Sequence, residues 1–124
     1  MFLLDTNTII DFCNAKLPDK SANLLHDVSP IISVITQIEL FSSMQLSIAE
    51  KDNLIKLVKI AKVIDHLDED IVNHTIKIRQ NYRTKLPDAI IAATAIVNNL
   101  TLITRNISDF YNIEGLKLIN SHSI

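Results

Sequence analysis

Three acidic residues, Asp5, Glu39 and Asp88, stand in unusually uncharged surroundings, and together with Asp109 they could hold a divalent cation. Asp5 is the only charged side chain from Met1 to Ile10, and Glu39 the only one between Asp27 and Glu50. Asp88 stands alone between Lys85 and Arg105, and Asp109 lies in Asn106-Ile107-Ser108-Asp109-Phe110. Apart from Lys85, no Lys or Arg sits three or four residues from Asp5, Glu39 or Asp88 to make a helical ion pair. The helical neighbours of Glu39 are Ile35, Thr36, Ser42 and Ser43, which do not make a charged, solvated face. Burying an unpaired carboxylate costs several kcal/mol or more. Crowding several together without a cation forces some to stay protonated. One or two Mg²⁺ or Mn²⁺ ions resolve both problems, because these cations prefer oxygen ligands and keep waters for substrate. Such a site can orient a water, lower its pKa and neutralise a phosphate during in-line displacement.

Plainer roles exist for each acid. Asp5 could cap a helix, Asp88 could complement a helix dipole, Asp109 could sit in a turn, and Glu39 could be structural or exposed. Their shared environment is what carries weight. Around them, Asn7, Thr104 and Asn106 are candidates for orienting a ligand or water. Arg79, Arg83 and Lys85 precede Asp88 and could contact phosphates. His26, His66, His74 and His122 show no paired spacing for zinc and read as structural or surface residues. Cys13, the single cysteine, rules out an internal disulfide and reads as core. Lys51, Lys56, Lys59 and Lys62 read as the solvated side of an amphipathic helix.

The elements that must position these residues alternate in type. Strands are expected at Phe2-Leu4, Ile31-Val34, Val63-Ile64, Leu100-Ile103 and Leu116-Ile119. Helices are expected after Asp5, over Leu17–Val28, Ile35–Leu46 and Glu50–Lys62, from Asp68 to about Tyr82, and from Pro87 to about Asn98. Strands alternating with helices imply right-handed crossovers and a parallel sheet covered by helices. The functional crevice of such a sheet lies at the carboxyl ends of its strands. Asp5 and Asp109 both fall just beyond strand ends.

The 124 residues read as a single domain spanning 1–124. With 48% hydrophobic and 21% charged residues, the chain can build a core without staples. A net charge of −2 argues against binding nucleic acid through one broad basic face, but a nuclease with an acidic site and local Lys and Arg is compatible with it. Gly115 is the only glycine, which excludes glycine-rich nucleotide-binding loops. No apolar run is long enough to span a membrane, and no export signal is visible, so a cytoplasmic protein is expected.

Taken together, the segments resemble the PIN domain, and within it the VapC-like toxins of toxin–antitoxin pairs. The matching pieces are Leu3 to Asp11 (LLDTNTIID), Ile35 to Leu40 (ITQIEL), Pro87 to Ala95 (PDAIIAATA) and Leu102 to Phe110 (LITRNISDF), in the family's order. The resemblance implies a three-layer α/β/α sandwich around a parallel sheet of about five strands. It implies metal binding by Asp5, Asp88 and Asp109, with Glu39 acting directly or through metal-bound water. The implied reaction is hydrolysis of RNA phosphodiester bonds. The implied partners are a small cognate antitoxin and a second copy of the chain in a homodimer.

Three other readings compete. A strand-end Asp also opens haloacid-dehalogenase-like phosphatases, but these need a second acid where this chain has Asn7. A PIN nuclease could serve RNA processing instead of toxicity. A catalytically inert PIN-like binding module would be expected to lose part of the acidic cluster, and all four acids are present.

Overall fold

Strand β1 (Phe2–Leu4) lies at the centre of a five-stranded sheet of order β3-β2-β1-β4-β5, every pairing parallel. The other strands are β2 (Ile31–Ser33), β3 (Lys62–Ile64), β4 (Thr101–Thr104) and β5 (Lys117–Asn120). Each lies within about one residue of its sequence expectation. The computed structural model describes residues 1–42 and 45–124.

Adjacent residues on a strand point to opposite faces, so the sheet builds two cores. Leu3, Ile31 and Leu102 face one side, where α5 (Glu69–Asn81) and α6 (Leu86–Val97) cover them with Ile71, Ile78 and Ile91. Ala89, Ala92, Ala93 and Ala95 on α6 are wholly buried; their small side chains let the helix lie close to the sheet. Leu4, Ile32 and Ile103 face the other side. There α1 (Thr6–Cys13), α2 (Asp19–Asp27), α3 (Val34–Phe41) and α4 (Ile48–Ile60) contribute Ile9, Leu25, Leu40 and Leu54. This is the expected three-layer sandwich. Emptying one such position, for example Leu102→Ala, removes about 2–5 kcal/mol of packing.

Two details depart from expectation. The third helix was expected to run to Leu46, but α3 ends at Phe41 with Ser42 as its C-cap; Ser43, named above as a helical neighbour of Glu39, lies outside the described residues. A 3₁₀ turn, η1 (Ile107–Asp109), follows β4 and was not foreseen. Gly115 takes a left-handed φ of +83° in the turn before β5, a backbone state that costs other residues about 1–2 kcal/mol.

From β1 the chain builds outward through β2 and β3, then crosses back under α5 and α6 to start β4 on β1's other side. That reversal makes the carboxyl ends of β1 and β4 the natural crevice.

Candidate metal and phosphate site

The crevice brings together residues far apart in sequence. Asp5, Asn7, Glu39, Lys85, Asp88, Asn106 and Asp109 line one open cleft of about 240 Å³. Asp5 follows β1, Glu39 stands on α3, Asp88 sits in the first turn of α6, and Asp109 ends η1.

Asp5 is fixed by two hydrogen bonds. The backbone N–H of Thr6 donates to its Oδ1 at 2.8 Å, and the Thr104 hydroxyl donates to its Oδ2, also at 2.8 Å. Thr104 in turn accepts from the backbone N–H of Asn106 at 3.0 Å. The last residue of β4 therefore ties Asp5 to the segment that carries Asp109. Asp5 is also the N-cap of α1, so its capping role and its place in the cleft coexist. Burial raises its pKa; the bonds from Thr104 and Thr6 oppose that rise, and the charges of Glu39 and Asp109 add to it.

Asp88 is half-buried and carries the clearest electrostatic signal. Its pKa is pushed up from 3.8 to about 6, first by desolvation and then by Asp5, Asp109 and Glu39; Lys85 pulls weakly the other way. Each of the other acids is thus felt at Asp88. Glu39 differs from its sequence reading: it is exposed, and the Thr6 hydroxyl donates to its Oε1 at 2.7 Å. Asp109 is exposed as well.

The donor set fits a hard divalent cation. It is all oxygen, it carries more negative charge than Lys85 can offset, and the strain of that excess is visible at Asp88. Among the described residues, no three such side chains are drawn together tightly enough to cage an ion. The acids instead ring the cleft.

The basic candidates lie at its margin. Lys85 lines the cleft itself, whereas Arg79 and Arg83 line an adjoining opening that shares Lys85 with it. Arg79 donates from Nη1 to the carbonyl of Thr84 at 2.6 Å, which braces the turn ahead of α6.

Sequence reasoning assigned no role to Thr6 or to a second buried acid, Asp11. The Asp11 side chain is 4% exposed, and Arg105 Nη1 donates to both its oxygens at 3.1 and 3.0 Å. His122 Nε2 lies 3.0 Å from the same carboxylate. This cluster joins α1, the end of β4 and the tail after β5. Nothing local marks it, because its members are 94 and 111 residues apart.

The PIN domain model matches residues 2–116. The chain belongs to the PIN domain family. Solved structures resemble it along nearly its whole length. A toxin–antitoxin complex from Klebsiella pneumoniae matches at 32% identity, covering 100% of both chains, with a TM-score of 0.77. VapBC2 of Rickettsia felis, bound to a promoter DNA fragment, matches at 26% identity over 96% of this chain and 97% of that one, with a TM-score of 0.79. DNA-bound VapBC of Salmonella typhimurium matches at 28% identity over 97% of each chain, also at 0.79. Among curated proteins, none matches. This PIN domain is therefore similar in fold and sequence to chains found in VapBC assemblies.

Proposed function

We propose that this PIN domain is a divalent-metal-dependent endoribonuclease acting in the cytoplasm as the toxin of a toxin–antitoxin pair. The observation that carries the reading is the convergence of Asp5, Glu39, Asp88 and Asp109 on one cleft with Lys85, among the described residues, the only cationic side chain lining it. Asp5, Asp88 and Asp109 would hold one or two Mg²⁺ or Mn²⁺ ions, with Glu39 acting directly or through water. A bound cation supplies a nucleophilic water near neutral pH and offsets charge on the phosphate.

The chain's own residues prepare that chemistry. Thr104 and the Thr6 N–H aim both oxygens of Asp5, and the Thr6 hydroxyl steadies Glu39. Asn7 and Asn106 line the cleft as neutral groups able to orient water or a phosphate oxygen. Lys85 in the cleft, with Arg83 and Arg79 beside it, would hold flanking phosphates of the RNA. The similarity to toxin–antitoxin complexes supports a cognate antitoxin partner; in this reading the antitoxin is a small protein that obstructs the cleft, and the toxin works as a homodimer.

The test is to map new RNA 5′ ends across the transcriptome after brief expression of the wild type or Asp5→Asn. A few sharp ends specific to the wild type are expected. Indistinguishable end maps from two folded proteins, with antitoxin absent, would refute the reading.

A further inference from the structure

Beside the acidic cleft lies a second, smaller hollow of about 170 Å³, and Asp109 lines both. Its other walls include Arg83, Thr84, Ser108, Tyr111 and Asn112. Tyr111 is 66% exposed although its neighbours Phe110 and Ile113 are 1% and 6% exposed. Those two anchor the loop in the core, and the loop is further held by Phe110 N–H and Tyr111 N–H donating to the Ile107 carbonyl at 3.0 and 2.8 Å. An aromatic ring is thus presented to water on a fixed support. Among the described residues, neither the Tyr111 side chain nor the Arg83 guanidinium has a hydrogen bond, ion pair or ring contact. Tyr82, on the same hollow, is occupied: its hydroxyl accepts from the Glu114 N–H at 3.1 Å.

We propose that this hollow is a subsite for one unpaired base of the RNA, next to the phosphate held in the acidic cleft. The proposal rests on the ribonuclease reading above. Unpaired bases are recognised by stacking on aromatic rings and by hydrogen bonds to their edges. Tyr111 offers the ring, Ser108 and Asn112 offer polar groups for a base edge, and Arg83 offers a cation to the adjoining phosphate. The volume lies below the roughly 300–1,000 Å³ of cavities that enclose drug-sized ligands, and suits a single ring system. Because Asp109 is common to both hollows, the subsite adjoins the cleft, and a strand leaving the cleft on this side passes into it. Base preference at that position of the cut site therefore belongs to Tyr111 and its neighbours, separately from the acids.

The experiment digests a randomised pool of short single-stranded oligoribonucleotides in Mn²⁺ with wild type, Tyr111→Ala, Tyr111→Phe and Arg83→Ala. Base frequencies around each cut are read by sequencing, and KM and kcat are measured on the best substrate. Tyr111→Ala should raise KM roughly tenfold, the loss of one stacked base, and flatten the preference at one position flanking the cut. Tyr111→Phe should restore both, and Arg83→Ala should raise KM while leaving the base preference in place. Wild-type cleavage with unchanged KM and preference in Tyr111→Ala would overturn the subsite alone. So would an effect of Tyr111→Ala confined to antitoxin binding, which would give the hollow to the protein partner. A pool left intact by the wild type would instead remove the ribonuclease reading and the subsite with it.

Discussion

Asp88 carries the most informative single charge in the molecule. Its folded-state carboxyl titrates near 6 against an ordinary 3.8, because burial and three neighbouring acids disfavour the ionised form. A carboxyl whose pKa is raised on folding costs nothing below about pH 4, where it is neutral in both states. The cost grows as pH rises through 4 to 6 and is complete above 6. Without metal, Asp88→Asn should therefore raise the melting temperature at pH 7.5, with the advantage fading as the pH falls toward 4. Water screens this half-buried position, so the gain is about 1 kcal/mol, or a few degrees. Adding Mn²⁺ should reverse the order, because the ion stabilises only the protein that binds it well. Thermal melts of both proteins across that pH range, with and without Mn²⁺, check each part. An Asp88→Asn protein no more stable than wild type at pH 7.5 would contradict the charge crowding.

At the scale of elements, the ends of β1 and β4 matter most, and what holds them was only half legible in the sequence. The strands could be read because short β-branched and leucine runs alternate with longer helical patterns, and the sheet's parallel order follows from that alternation. Three of the four acids, Asp5, Glu39 and Asp88, stood out through the lack of charge around them. The exposure of Glu39 was not visible, since an uncharged neighbourhood in sequence does not place a side chain in the core. The Asp11–Arg105–His122 cluster was hidden for another reason: long-range pairs leave no local pattern. Arg105 lies between Thr104, which holds Asp5, and Asn106, whose N–H holds Thr104, so its bond to Asp11 secures the strand end that carries the site. Arg105→Ala leaves a buried carboxylate with His122 alone. It should cost about 2 kcal/mol, less than a fully buried pair because the guanidinium is itself 46% exposed. Urea unfolding measures this, and Arg105→Lys should recover part of it. No loss of stability in Arg105→Ala would show that the cluster is incidental to holding β4.

At the scale of the whole molecule, two apolar cores clamp a sheet whose central strand delivers Asp5 to the point where the chain reverses direction. The PIN domain match over residues 2–116 and the VapBC likenesses agree with that topology. Among the described residues, no helix is long and apolar enough to cross a membrane. The sequence could not reveal which surfaces adjoin the cleft. Only the folded chain brings Arg83, from the connection before α6, to the side of Asp109 and Tyr111.

Whether the acidic cleft cuts RNA with a divalent cation, as proposed, is tested by cleavage of single-stranded RNA with the purified protein. Wild type and Asp5→Asn are compared in Mn²⁺, after chelation, and after metal is restored, with circular dichroism confirming that both are folded. Wild type should cleave in a manner that stops on chelation and returns with metal, and Asp5→Asn should cleave in none of these conditions. Cleavage that survives chelation, or that Asp5→Asn performs at the wild-type rate, would contradict the proposal.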